Sequence, residues 1–370
     1  MRVTLIDTCT PAARGSMRRY RELALRACRI VAPDTEVQTV SATLPAWAAG
    51  IAPAPVATWL NHAWAAAACR RIARQRGDVY HLIDGSYAHL LRWLPARRTV
   101  VTVHDLIPWL QTQGHFHGIP APSPFARRLI TAGLHRLPTA GVLVSVSEAT
   151  RRDLTAAGVP PARVEVVHSA LDRTLWSCAQ PPASDCRRSP MLLHVGHSGF
   201  YKNRLTALRV LAVLSMESDV RLTLAGSPLT RTESRTLARA GLSSRVDVVT
   251  RLDDGALVRL YRTASLLLFP SLYEGFGWPP LEAMACGCPV VCSNAASLPE
   301  VVGTAAMTAA PTDVHTLATH CRRILNEPAL ADRLRTGGWR NVERFSLRKM
   351  GEGLLNAYRA ARSRDGEKPA

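Results

Sequence analysis

Short runs of aliphatic and β-branched residues alternate along this chain with longer stretches in which apolar positions recur every three or four residues. The runs Val3–Ile6, Val79–Ile83, Thr99–Val103, Val142–Val146 and Val164–Val167 read as buried strands. Gly15-Ser16 opens a helix with Tyr20, Leu23, Leu25, Ala27 and Ile30 on its apolar side, and Ser147 caps a helix beginning at Glu148. A second set follows: strands at Leu192–Val195, Arg221–Ala225, Val246–Val249, Leu266–Phe269 and Pro289–Cys292, and helices at 205–214, 314–326 and 346–362. Strands apolar throughout, separated by helical patterns, predict two α/β halves built on parallel sheets covered on both faces.

The pattern weakens between Asp172 and Pro190, where Pro181, Pro182 and small polar residues gather. The expected layout is an N-terminal domain over 1–171, a linker over 172–189, a C-terminal domain over 190–345, and a helix over 346–370 able to pack back on the first domain. The 370-residue length suits two domains. No repeat of 20 to 50 residues is visible, which argues against a solenoid.

Composition adds charge to this picture. There are 46 basic and 28 acidic residues, a formal net charge of +18, and only Lys202, Lys349 and Lys368 are lysines. No acid occurs between Glu36 and Asp78 or between Asp105 and Glu148, while Arg70, Arg71, Arg74, Arg76, Arg127 and Arg128 fall in those gaps. An anionic partner surface or acceptor is expected. Nucleic acid is not, because the arginines are scattered and no aromatic RNA-binding signature interleaves them. Cys286, Cys288 and Cys292 have the wrong spacing for zinc and read as small buried apolar residues. Nine cysteines without paired spacing, and Met1 leading straight into a strand without a signal-peptide layout, predict a cytoplasmic location. The longest apolar stretch, Leu44–Leu60, is broken by Pro45, Gly50, Pro53 and Pro55 and makes a poor membrane span. The helical stretch holding Trp59, Trp64 and Ala65–Ala68 reads as a helix packed on its own domain, and from Trp59 and Trp64 to Arg76 it is also the segment expected to dock reversibly on an anionic membrane.

In parallel sheets, ligands meet the loops after the carboxyl ends of strands. One such loop reads S-L-Y-E-G-F-G-W-P-P-L-E-A-M-A-C-G-C-P over 271–289. Gly275 and Gly277 allow close backbone approach, Pro279 and Pro280 start a helix, and Gly287 stops it after about two turns. The helix start suits a diphosphate, and Glu274 and Glu282 suit hydroxyl groups on either side.

This segment resembles the signature of the retaining nucleotide-sugar glycosyltransferases of family 4, in which two glutamates are separated by seven residues. Leu298–Gly303 (L-P-E-V-V-G), Val103–Pro108 (V-H-D-L-I-P), Val146–Thr150 (V-S-E-A-T), and Val195-Gly196 with Lys202-Asn203 extend the likeness over most of the chain. The resemblance implies a GT-B fold, α/β with two Rossmann-like parallel-sheet domains facing across a cleft. The first would take the acceptor and the second the nucleotide-sugar donor. It implies His104, Glu274 and Lys202 as catalytic groups: His104 near the anomeric centre, Glu274 on the sugar hydroxyls, Lys202 on the diphosphate. Donor binding would further involve Gly15, Gly196, Asn203, Arg204, Arg251, Leu252, Gly275, Phe276, Gly277 and Glu282, the last on the ribose. Tyr201 stands where the family commonly has arginine, and Arg204 is the nearest replacement. The first loop has Arg14-Gly15-Ser16 in place of paired glycines.

The implied reaction is retaining transfer of a hexose, with mannose from GDP-mannose favoured over UDP- or dTDP-linked sugars. The acceptor would be a glycan or lipid-linked chain in cell-surface polysaccharide assembly, met at the inner face of an anionic membrane. No cofactor and no metal is expected. The competing readings are a sugar phosphorylase or synthase of the same fold, or, from another class, a basic nucleic-acid-binding protein.

Overall fold

The computed structural model describes residues 1–9, 15–45, 54–75, 77–176 and 190–364. The chain divides into two compact units, Met1–Ala170 with Leu347–Ala370, and Leu171–Ser346.

The first unit is built on a parallel sheet of β1 (Arg2–Asp7), β2 (Glu36–Ser41), β3 (Val79–Leu82), β4 (Thr99–Val103), β5 (Val142–Ser145) and β6 (Val164–Val166), in the order β2-β1-β3-β4-β5-β6. Strands β3, β4 and β5 are buried at every position, as their unbroken apolar runs require. β2 was not expected: in Glu36-Val37-Gln38-Thr39-Val40-Ser41 only Val37 and Val40 are apolar, and it forms the half-exposed edge beside β1. Helix α1 (Ser16–Val31) buries Tyr20, Leu23, Ala24, Ala27 and Cys28, a stripe at three- and four-residue spacing. Leu25 and Ile30, expected on that side, fall off it, and Ile30 is 46% exposed.

Helix α2 (Ala54–Ala73) sets Ala65, Ala66, Ala68, Cys69 and Ile72 against the core. Helix α3 (Pro124–Arg136) starts at Ser123, whose hydroxyl accepts from the Ala126 amide at 3.3 Å. Helix α4 (Glu148–Ala156) is capped as expected by Ser147, which accepts from the Thr150 amide at 3.1 Å.

The second unit repeats the architecture. Strands β7 (Met191–Gly196), β8 (Arg221–Gly226), β9 (Val246–Thr250), β10 (Leu266–Phe269), β11 (Val290–Ser293) and β12 (Met307–Ala309) form a parallel sheet in the order β12-β11-β10-β7-β8-β9. Again an edge strand, β12, escaped the sequence reading because it is three residues long and only half-buried. The helices that matter for the site are α5 (Arg204–Leu214), α6 (Arg231–Arg239), α7 (Asp254–Thr263) and α8 (Trp278–Ala285). Each enclosed leucine or isoleucine in these layers contributes about 2 kcal/mol.

Two boundaries differ from expectation. Leu171, expected in the first domain, and Asp172–Trp176, expected in the linker, belong to the second unit, where Trp176 is 1% exposed and its ring lies 6.0 Å from that of Tyr261. Residues 177–189 of that linker, like Arg14, Arg76 and residues 365–370, lie outside the described residues. Helix α9 (Leu347–Ser363) returns to the first unit and packs on α1. There Gly351 is indispensable, since a Cβ would stand 2.4 Å from the Ala27 carbonyl oxygen. Tyr358 of α9 bonds His81 Nδ1 at 2.9 Å, and His81 Nε2 meets Thr102 Oγ1 at 2.7 Å. Among the described residues, no helix is long and apolar enough to cross a membrane.

Candidate active site

Strand order locates the candidate sites. In the second unit the chain runs outward from β7 through β8 to β9, then restarts at β10 on the other side of β7. The loops after β7 and β10 therefore diverge at a topological switch point, where open parallel sheets bind ligands. Lys202 follows β7 and Glu274 follows β10.

The structure brings these two residues into direct contact. Lys202 Nζ lies 2.8 and 3.0 Å from the two carboxylate oxygens of Glu274, with side-chain exposures of 11% and 9%. The ammonium also sits 5.3 Å from the ring centres of Phe269 and Tyr201. Gly196 makes room for the lysine stem: a Cβ there would press on the Lys202 methylenes at 3.2 to 3.5 Å. Asn203, in left-handed conformation (φ 51°, ψ 43°), starts α5 and donates from Nδ2 to the carbonyls of Pro270 and Pro311, each at 2.8 Å. The Leu272 amide donates to the Tyr201 carbonyl at 2.7 Å. Asn203, expected on the donor, thus ties the loops after β7, β10 and β12 together.

Arg204 departs further from expectation. Its side chain is 2% exposed, with Nε 3.1 Å from Glu233 and Nη1 3.0 and 3.4 Å from the carbonyls of Ser227 and Pro228. Glu233 also closes a capping box with Thr230 at the start of α6. Arg204 therefore braces the loop after β8, and its charge is met by Glu233. Burial drives its pKa down and Glu233 opposes this. Tyr201 instead receives a hydrogen bond from His197 Nε2 at 2.8 Å, because His197 Nδ1 already accepts from the Gly199 amide at 2.9 Å. His197 is held neutral, its pKa lowered first by burial and then by Lys202. Beneath the pair, His194 stacks on Phe269, donates to the Leu268 carbonyl at 3.0 Å, and has its pKa pushed down to about 3, chiefly by burial.

The loop from Gly275 to Gly277 is anchored from below. Ser297 Oγ lies 2.8 Å from the Glu274 carbonyl oxygen and 2.6 Å from that of Phe276, so its single hydrogen fixes both. Gly277 (φ 112°) precedes α8, and a Cβ there would come 2.8 Å from Leu298. Pro279 and Pro280 occupy the first turn and carry no N–H, so the helix itself offers fewer amides to an anion than a helix start normally does. Glu282 on α8 is 1% exposed and accepts from the Tyr261 hydroxyl of α7 at 2.9 Å. Arg251 (φ 57°) is exposed and Leu252 half-buried, both after the edge strand β9, two strands away from β7. Cys286, Cys288 and Cys292 are buried thiols; burial raises those of Cys288 and Cys292 to about 12.

In the first unit the switch point lies between β1 and β3. His104, at the end of β4, donates from Nε2 to the Ile83 carbonyl at 2.9 Å, which leaves Nδ1 as the acceptor nitrogen. Its ring meets Tyr20 edge-on at 4.6 Å, and burial lowers its pKa against the pull of Asp84. Gly15 is exposed and extended, and among the described residues a Cβ there would touch nothing within 4 Å. Asp105 accepts from the Ile107 amide at 2.9 Å and shapes the turn.

His197, Tyr261 and Ser297 were missed by the sequence reading. They carry no motif, and each acts through a partner 4 to 23 positions away.

Comparison with known proteins places this geometry. Residues 21–175 match the description Glycosyltransferase Family 4 and residues 186–339 the description Glycosyl transferases group 1. The chain is 29% identical to O-antigen chain mannosyltransferase B of Escherichia coli over 289 residues, 72% of each chain. It is 34% identical to MMP alpha-(1->4)-mannosyltransferase of Mycolicibacterium hassiacum over 229 residues, 60% of this chain and 54% of that one. Its fold is similar to that of sucrose-phosphate synthase from Thermosynechococcus elongatus (TM-score 0.78, 21% identity, 97% and 98% of the two chains). It is also similar to that of Anabaena HepE in complex with UDP and glucose (TM-score 0.73, 17% identity, 96% and 98%). With one family description matched on each side of the segment 176–185, and a six-stranded parallel sheet in each unit, the chain belongs to the family 4 type of glycosyltransferases, enzymes of two-domain GT-B fold.

Proposed function

We propose that this enzyme is a retaining hexosyltransferase that moves mannose from GDP-mannose to a glycan or lipid-linked acceptor of cell-surface polysaccharide, working in the cytoplasm at the inner face of the membrane. The observation that carries the reading is the buried Lys202–Glu274 pair at the switch point of the second sheet. Two groups of opposite charge, largely withdrawn from water, are suited to a ligand that presents a diphosphate and sugar hydroxyls side by side. Such a donor supplies an anion to Lys202 and hydrogen-bond donors to Glu274, so each loses its partner only by gaining another. The names of the two mannosyltransferase relatives support the sugar.

Breaking the bond between sugar C1 and the diphosphate builds positive charge on the ring and negative charge on the leaving oxygen. Lys202 and the amides of the Gly275–Trp278 loop meet the negative charge where it grows, without a metal ion in the reading. In this reading Glu274 orients the sugar, Glu282 holds the ribose, and His104, neutral with Nδ1 as its acceptor nitrogen, serves near the anomeric centre. Attack from the face the leaving group vacates retains configuration.

Titration of GDP and UDP into Glu274→Gln and Glu282→Ala tests the assignment. Glu274→Gln leaves Lys202 without its counter-charge, so nucleoside diphosphate affinity holds or rises while sugar transfer collapses. Glu282→Ala loses nucleotide affinity. If Glu274→Gln loses as much nucleotide affinity as Glu282→Ala, the map is wrong; if UDP binds more tightly than GDP, the donor is a UDP-linked hexose.

A further inference from the structure

Helix α2 breaks the usual rule for a surface helix. Its outward positions recur at three- and four-residue spacing, and over the first four turns they are Val56, Trp59, Leu60, Ala63, Trp64 and Ala67. Val56 is 49% exposed, Trp59 57% and Trp64 41%. The inward stripe is apolar as well, so the helix is apolar on two opposite sides. The same outward row then changes character, continuing as Arg70, Arg71 and, in the turn that follows, Arg74.

A neighbouring element extends the surface. The ring of Phe125 on α3, itself 43% exposed, lies 6.5 Å from that of His62 on α2. One turn further along α3, Arg127 and Arg128 line an open groove of about 570 Å³ with Thr131 and His135. Among the described residues, none of Arg70, Arg71, Arg74, Arg127 and Arg128 forms an ion pair with a carboxylate, and both helices lie within the acid-free spans 37–77 and 106–147.

We infer that the outward face of α2, with the adjoining start of α3, docks on an anionic lipid bilayer, the tryptophans entering the interface and the arginines meeting headgroup phosphates. Exposed tryptophans beside an arginine row, free of carboxylates, match the composition that interfacial helices use. A second copy of the chain fits less well, because a two-fold contact through this face would set one arginine row near another with no acid between them. The inference deepens the lipid-linked form of the acceptor proposed above and rests on that reading for its purpose. Its test needs neither donor nor acceptor.

Full-length protein is mixed with vesicles of phosphatidylcholine, alone or with about one third phosphatidylglycerol, and the bound fraction and tryptophan emission are measured at low and high salt. Binding is expected to be at least about tenfold stronger to the anionic vesicles, to fall away in about 0.5 M salt, and to shift tryptophan emission to the blue. Trp59→Ser/Trp64→Ser should remove the blue shift and weaken binding about tenfold. Arg71→Ser, Arg127→Ser and Arg128→Ser should each weaken it about fivefold. Equal recovery with neutral and anionic vesicles overturns the inference. So does anionic binding that survives all these substitutions, or a concentration-dependent dimer that Trp59→Ser/Trp64→Ser dissolves. Lys202→Ala, which disables the donor site in the second unit, should bind vesicles normally, so failure of docking and failure of the glycosyl-transfer reading are told apart.

Discussion

Helices α2 and α8 are both apolar around most of their circumference, yet they end in opposite surroundings. In α8, every residue except Pro279 is buried, enclosed by neighbouring layers of the second unit. In α2, one side faces the core and the other faces water with two tryptophans. A helix apolar all round calls for cover, and the difference teaches where the fold supplies it: α8 is covered by its own unit, whereas the outer side of α2 is left open to an outside partner. The enclosed helix carries Glu282 and follows Glu274, because a carboxylate is held in one orientation only where its surroundings are packed.

The strongest way to break the enclosed end is to remove the charge that balances it. Lys202→Ala should lower turnover by about 100- to 1,000-fold, since it strips a cation from the growing leaving-group charge and also leaves Glu274 buried without its partner. Initial rates with a nucleotide-sugar donor measure this, and near-normal turnover would remove Lys202 from the site.

Packing separates the two helices next. Leu281→Ala in α8, at a position with no exposed surface, should destabilise the protein by about 2 to 5 kcal/mol. Leu60→Ala on the outer face of α2 should change stability by no more than about 0.5 kcal/mol. Denaturant unfolding of the two variants gives the contrast, and similar losses would mean that the α2 face is internally supported.

Acid should act on the interiors alone. His81 and His194 have folded-state pKa values down to about 3, from burial above all, against an ordinary value near 6.5. Above pH 6.5 both states are neutral and nothing changes. Between 6.5 and about 3 the unfolded chain takes protons that the folded one refuses, so stability falls as pH falls, by about 1 kcal/mol per pH unit for each histidine. Unfolding midpoints from pH 7.5 to 4.5 should show this slope, reduced in His194→Gln and unchanged in Trp59→Ser.

The smallest effect sharpens the picture around α8. Tyr261→Phe keeps the ring against Trp176 and removes the hydrogen bond to Glu282, so nucleoside diphosphate affinity should drop about fivefold with the fold intact. Unchanged affinity would mean that Glu282 is oriented without Tyr261.

Much of the second unit's candidate site was legible in advance because its residues sit in one loop. Glu274, Gly275, Phe276, Gly277 and Glu282 are read from a single stretch whose glycines and prolines announce a sharp turn into a short helix. Central strands were legible for a related reason: burial on both faces demands continuous apolar runs. The edge strands β2 and β12 were not, since a half-exposed strand needs no such run. Arg204 shows the limit for charge. Its place after Lys202-Asn203 suggested a second cation for the diphosphate, but the start of α5 aims it at Glu233, 29 positions further on.

Taken alone, the sequence determined the family and the two α/β halves and named a candidate neighbourhood for the chemistry, because these depend on periodicity and on contiguous motifs. Tertiary structure decided pairings between distant residues: Lys202 with Glu274, Arg204 with Glu233, Glu282 with Tyr261, and α9 with α1. It also decided which apolar positions stay uncovered, turning the alanine-rich stretch around Trp59 and Trp64 into a helix with an outward face. The reason is physical: a run of residues constrains its own local conformation, whereas the partner of a charge or the cover of an apolar side is set by which strands the sheet order makes neighbours.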